Sequence, residues 1–233
     1  MENQQDYILN ERQEQVLLTG YYGDGYLVNQ KGSNYYYGAS SIVRPLLELK
    51  YKLLGDLVNK EIKEVDNSGG YGNGNIFKLE TKKSKVITEF TKLSDQIKLN
   101  KFTELGIALW FYDDGSLHQK NSFYNLCTHK YSKEFQEDLL IPKLKEFGIN
   151  ARVAVERKKD GRVFWYLRVN RHDGAIEVSE ILNKYPVSGM RYKMWSSTTS
   201  QQWRKLQAEL KSKGQVLSKR AFANELNKRL DKI

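Results

Sequence analysis

Two acidic residues stand at the ends of similar apolar stretches ninety residues apart. The first stretch is Leu17-Leu18-Thr19-Gly20-Tyr21-Tyr22-Gly23-Asp24-Gly25, and the second is Ile107-Ala108-Leu109-Trp110-Phe111-Tyr112-Asp113-Asp114-Gly115. Each reads as a helix that runs into an aspartate and a glycine. The carboxyl end of a helix exposes unpaired carbonyls and partial negative charge, so a carboxylate there is repelled unless a cation neutralises it. A hard divalent ion such as Mg2+ takes carboxylate, carbonyl and water oxygens. One Asp-Gly pair is ordinarily a helix stop followed by a solvated loop. Two copies in matching context point to a metal site built on Asp24 and Asp114, with Gly23 and Asp113 beside them.

The elements that must position these residues also repeat. After Asp24 come a polar-aromatic segment over 26–40, a helix over 41–59 with Leu46, Leu49, Leu53 and Leu57 at helical spacing, a Gly-rich turn over 68–74, and a strand over 76–82. In that strand Phe77, Leu79 and Thr81 alternate with Lys78, Glu80 and Lys82, giving one buried and one charged face. After Asp114 come a strand over 122–128, a helix capped by Ser132, and a hairpin whose arms, 151–157 and 162–170, flank the turn Lys158-Lys159-Asp160-Gly161. A helix over 174–184 closes the unit. Both halves read helix, hairpin, helix, hairpin, helix, so the fold class is α+β with two pseudo-symmetric αββαββα repeats packed through their motif helices. The domain limits are 1–99 and 100–194 for the repeats and 195–233 for a basic helical extension, with helices at 201–213 and 218–230. Gly20, Gly23 and Ala108 are the small residues expected where the motif helices approach, with Tyr21, Trp110 and Phe111 turned toward their own sheets.

The chain of 233 residues has a formal charge of +10 and a pI near 9.4, a balance suited to a polyanionic partner. Residues 195–233 hold nine basic and three acidic residues, so the extension carries six of those ten charges. No apolar run approaches the roughly 18 residues of a membrane helix, and the polar start resembles neither a secretory signal nor a transit peptide. A soluble intracellular protein is expected. One cysteine, Cys127, and three scattered histidines exclude an internal disulfide and a zinc constellation.

These two phrases, their spacing, the Leu126-Cys127-Thr128 strand and the ending Met190-Arg191-Tyr192-Lys193 resemble the LAGLIDADG homing endonucleases in their single-chain, two-repeat form. The second repeat, about 105–194, is the closer match, and residues 195–233 lie outside the resemblance. The family's acidic residue before the terminal glycine corresponds to Asp24 and Asp114, which the resemblance makes catalytic metal ligands for Mg2+ or Mn2+. Its basic residue late in each repeat corresponds to Lys193, and in the first repeat to Lys92, with Lys85 or Lys98 as substitutes. The resemblance implies a monomeric, metal-dependent DNA endonuclease that hydrolyses both strands of a long asymmetric duplex site and leaves 3′ overhangs.

Recognition is then expected from the open faces of the two sheets, since a two-stranded ribbon fits the major groove. Strand alternation selects Lys78 and Lys82 from the first half and Arg152, Arg168 and Asn170 from the second, while Lys158 and Lys159 at a turn tip suit phosphate contact. The competing readings are a maturase that binds group I intron RNA on the same scaffold, and a DNA-binding regulator that does not cleave. Retention of both Asp24 and Asp114 argues against the regulator.

Overall fold

The computed structural model describes residues 8–30, 32–66, 75–118 and 122–232. The Gly-rich turn expected over 68–74 lies outside them. Packing divides the chain into two compact units, residues 1–113 and 114–233.

In the first unit, α1 (Glu11–Tyr22) opens with a capping box: Asn10 and Gln13 each accept the other's backbone N–H at 3.0 Å, satisfying two donors that a helix start leaves unpaired. From Gln15 to Gly20 every residue is buried, so this is a central helix, packed on all sides. Next come β1 (Tyr26–Val28), β2 (Tyr36–Ser41), α2 (Arg44–Leu54), β3 (Lys63–Asp66), β4 (Asn75–Glu80), α3 (Lys85–Lys92), α4 (Asp95–Asn100) and α5 (Glu104–Asp114). The four strands form an antiparallel sheet in the order β1-β2-β4-β3. The helix expected over 41–59 stops sooner, because Gly55 adopts φ +54, and a 3-10 turn, Gly55–Leu57, follows.

The second motif helix, α5, packs on α1 in this unit. The fully buried Gln15 amide donates to the Lys101 carbonyl at 2.8 Å and accepts from the Thr103 N–H at 3.0 Å, so α1 caps the start of α5. Gly106 makes the approach possible, since a Cβ there would overlap Gln15 Oε1 and the Phe102 ring. Gly20 serves a different neighbour from the one expected. A Cβ on it would strike the Tyr37 ring of β2, so its smallness lets the sheet close on α1. Trp110 also departs from expectation: it stacks on Phe102 at 5.6 Å and tilts against Tyr22 of α1 at 6.1 Å.

The second unit repeats the order. β5 (Gly115–His118), β6 (Phe123–Leu126), β7 (Arg152–Arg157) and β8 (Val163–Val169) form an antiparallel sheet ordered β5-β6-β8-β7, the same permutation as the first. Between β6 and β7, Ser132 caps α6 (Lys133–Phe135), as expected. The helix then widens through a π turn, Gln136–Leu140, into α7 (Ile141–Lys145). Pro142 lacks the N–H that would bond back by four residues, which disfavours a uniform α register. After β8 come α8 (Ala175–Lys184), a 3-10 turn, Arg191–Lys193, and the helices α9 (Ser197–Ser212) and α10 (Lys219–Leu230).

The extension packs rather than projecting. Leu206, Leu226 and Leu230 form a buried cluster with Trp203, Leu210, Phe222 and Tyr192 against it. Asn227 of α10 clasps the 3-10 segment: it donates to the Gly189 carbonyl at 2.6 Å and accepts from the Tyr192 N–H at 3.0 Å. Among the described residues no helix is long and apolar enough to cross a membrane.

Candidate functional site

At the end of α1 the Thr19 carbonyl accepts two N–H groups, from Gly23 at 3.0 Å and Gly25 at 3.3 Å. Gly25 folds back so tightly that a Cβ would lie 2.7 Å from the Gly20 Cα and 2.8 Å from the Tyr37 ring. The turn leaves Asp24 at its apex. Its carboxylate is exposed and has no ion pair or hydrogen bond among the described residues.

The second motif ends differently. Asp113 is turned into the first unit, where Lys50 of α2 reaches both its oxygens at 2.8 and 2.6 Å; the side chains are only 1% and 5% exposed. Burial pulls the Lys50 ammonium toward its neutral form, but Asp113 and Tyr37 overcome this and hold its pKa above the ordinary lysine value. Tyr37 lies fully buried near Lys50 and Thr19 without meeting hydrogen-bond geometry, and burial raises its own pKa. Sequence reading left Asp113 beside the metal; it misses Lys50, sixty-three residues away, because an isolated lysine in an amphipathic helix gives no signal of burial.

Asp114 heads the second unit. Its carbonyl accepts from the Cys127 N–H at 3.2 Å, tying the helix end to β6, and its residue is half-exposed. It borders a cavity of about 420 Å3 with Ser116, Asn125, His129, Glu156 and Tyr166. Two of these, Ser116 and Asn125, continue into a row along the open face of the sheet. The register sets Arg152, Arg168, Asn125 and Ser116 in one row across all four strands. Arg168 donates to Asn125 Oδ1 at 3.0 Å and to the Tyr166 hydroxyl at 2.6 Å, and its guanidinium lies 4.5 Å from the Phe123 ring centroid. Asn125 and Tyr166 were not singled out from sequence, although alternation puts both on the face that carries Arg168.

The other expected residues fall as follows. Lys78 stands between Lys63 and Ser40 in a row across the first sheet, and Lys82 is exposed just beyond β4. Lys158 and Lys159 occupy the exposed β7–β8 turn, with Lys158 bonded to Glu156 at 2.6 Å. Asn170 lies just after β8 and donates to Asp173 Oδ2 at 2.8 Å. Tyr37 is core and Tyr36 faces out, the division alternation required.

The basic candidates separate by burial. Lys92 is exposed and pairs with Glu89 at 2.8 Å. Lys98 and Lys193 are shielded, at 1% and 8% exposure, and each follows the helix that backs its sheet, α3 or α8. Lys98 donates to the Thr91 and Leu93 carbonyls and lies 4.0 Å over the Tyr21 ring of the first motif. Burial lowers its pKa, partly opposed by Asp95. The Lys193 carbonyl accepts from the Tyr124 hydroxyl at 2.5 Å, and that hydroxyl contacts Ser179 Oγ at 2.8 Å and accepts from the Trp195 N–H at 3.1 Å. Burial raises the Tyr124 pKa against these two contacts.

A duplicated α+β scaffold with basic rows on open sheets and acidic residues at its motif-helix ends belongs to the class of nucleic-acid-handling proteins. The model of the LAGLIDADG DNA endonuclease family matches residues 16–175, more than half of the chain, and the protein belongs to that family. Among solved structures, the homing endonuclease I-WcaI bound to its DNA recognition sequence is similar at 20% identity and a TM-score of 0.65, covering 82% of this chain and 89% of that one. I-DmoI in complex with DNA and Mn is similar at 16% identity and a TM-score of 0.46, covering 74% of this chain and 98% of that one. Other I-DmoI complexes contain Ca or Mg. The search of curated proteins finds no match.

Proposed function

We propose that the protein is a homing endonuclease that cuts both strands of a long, asymmetric duplex site as a monomer, using Mg2+ or Mn2+ and leaving 3′ overhangs. The observation that carries this reading is the division of labour at the motif ends. Asp24 is exposed with its charge uncompensated at a helix terminus, whereas Asp113 is neutralised internally by Lys50. Asp24 and Asp114 are therefore the residues to hold metal, and Asp113 anchors α5 beside Asp114.

The donor types suit a hard cation, because such an ion takes carboxylate and carbonyl oxygens. Such a set leaves coordination positions for water and phosphate oxygens. When bound, a divalent ion supplies charge neutralisation at the phosphate and acidifies water. The chain's own residues do the rest. The tight α1 turn fixes the Asp24 backbone, and the Lys50 pair fixes the end of α5. Lys193 and Lys98 supply positive charge as negative charge develops on the phosphate. Structural shielding and matching place in the fold favour Lys98 over Lys92 as the first-repeat partner of Lys193. The rows Lys63-Lys78-Ser40 and Arg152-Arg168-Asn125-Ser116 serve duplex recognition, with Lys82, Lys158 and Lys159 toward phosphates and Asn170 at the end of the second sheet's face.

The test is cleavage of a duplex spanning the insertion site of the protein's own gene, insertion removed, in the presence of Mg2+. Asp24→Asn and Asp114→Asn are expected to abolish double-strand cutting while duplex binding persists. Near wild-type cutting by either variant refutes the assignment. Binding and splicing of intron RNA without cutting of DNA supports the maturase reading instead.

A further inference from the structure

Two arginines of the C-terminal region are engaged inside the protein. Arg229 makes a two-point pair with Glu209 at 2.8 and 3.1 Å and approaches Glu225, and Arg191 donates to the Leu230 carbonyl. Arg171 and Arg204 differ: both are exposed, and neither makes an ion pair or hydrogen bond among the described residues. They line one cavity of about 440 Å3 together with Trp195, Ser197, Thr198 and Gln201, and among the described residues no acidic side chain lines it.

Arg171 is positioned there. Its guanidinium lies 4.7 Å from the Trp195 ring centroid. That ring is fixed in turn, since Trp195 Nε1 donates to Ser122 Oγ at 2.7 Å and its backbone N–H to Ser179 Oγ at 2.7 Å. A guanidinium held over an anchored indole loses little freedom when it binds a second group. Among the described residues, those around it are a second guanidinium, hydroxyls and an amide. Such a set matches a tetrahedral, doubly liganded anion, which arginine engages with two parallel N–H donors.

We propose that the Arg171–Arg204 cleft is a binding site for a backbone phosphate of duplex DNA, so that the extension contributes a sequence-independent contact apart from the sheet faces. The inference rests on the DNA reading given above. Two guanidiniums meeting phosphate release about two counterions, and each steepens the salt dependence of log affinity by about 0.9. Between about 50 and 200 mM salt, wild-type affinity is then expected to fall about tenfold more than that of a variant without the site.

The experiment is fluorescence anisotropy of a labelled duplex of arbitrary sequence across that salt range. The wild-type protein is compared with Arg171→Gln/Arg204→Gln, with Arg171→Lys/Arg204→Lys, and with Lys205→Gln/Lys211→Gln, which removes the same charge from α9 outside the cleft. The glutamine pair is expected to flatten the slope by nearly two, with an unchanged melting temperature, and the lysine pair to restore part of it. An unchanged slope in the glutamine pair overturns the cleft, as does equal flattening in the α9 control. Loss of affinity for a structured RNA but not for the duplex also overturns it, assigning the cleft to RNA. A wild-type protein that binds no duplex at any salt fails the DNA reading itself.

Discussion

Replacing Lys50 by Met tests how the second motif is held. Methionine keeps most of the lysine's volume and removes its charge, so the result isolates electrostatics from cavity formation. Both partners are nearly solvent-free, and Lys50 contacts both Asp113 oxygens within 2.8 Å. Removing one member of a buried pair leaves an uncompensated charge, a loss of about 3–5 kcal/mol. In a chain of this size each kcal/mol moves the melting temperature by about 2–4 °C, so a fall of about 6–20 °C is expected by calorimetry or circular dichroism. The double variant Lys50→Met/Asp113→Leu should recover most of it, since an apolar replacement of both partners is close to neutral. The pH dependence has a definite sign. Lys50 has a folded pKa above its unfolded value, so its contribution is complete below the unfolded pKa near ~10.4 and is lost only as pH rises through the folded value. The single variant is therefore fully destabilised at neutral pH. A melting temperature within error of wild type, or a double variant as unstable as the single, refutes this account.

Gly106→Ala should cost about 1–3 kcal/mol, because the added methyl overlaps a Gln15 amide already bonded at both ends; an unchanged denaturation midpoint contradicts the close α1–α5 contact. Asn227→Ala should lower the stability of the second unit by about 2 kcal/mol through two lost buried hydrogen bonds, seen in urea melts, without altering the salt slope of duplex binding. Burial and the neighbouring Glu80 push the Tyr26 hydroxyl up to about 12, so the folded protein keeps a proton that the unfolded chain releases from about pH 10. Stability should accordingly fall as pH rises between those values, and Tyr26→Phe should remove that part of the phenolate absorbance titration. Lys193→Ala and Lys98→Ala should each slow cleavage far more than they weaken binding, whereas Lys92→Ala should have little effect on either; single-turnover rates beside affinities decide it.

The sequence by itself determined the elements whose signals are local. The two motif helices, the Ser132 cap and the β7–β8 hairpin were legible because apolar spacing, a capping hydroxyl and a turn ending in Gly161 each act within a few residues; that glycine takes φ +85. The repeat of this order, with Asp24 and Asp114 at equivalent places, also made the duplicated α+β fold readable. What lay in long-range pairing was not. Nothing near Lys50 announces that it will be buried against Asp113, and nothing near Asn227 that it will clasp Gly189 and Tyr192. The extension's two helices are legible in the sequence, but its choice of the Arg191–Lys193 turn as a neighbour belongs to tertiary structure. The same holds for small residues. The sequence offers Gly20, Gly23 and Ala108 as small residues for close approach, while only the folded chain assigns Gly20 to the Tyr37 ring and brings in Gly106 against Gln15. Propensity and periodicity act over one or two turns of chain, but a buried charge must find its partner wherever the fold delivers it, since leaving it unpaired costs more than any local preference supplies.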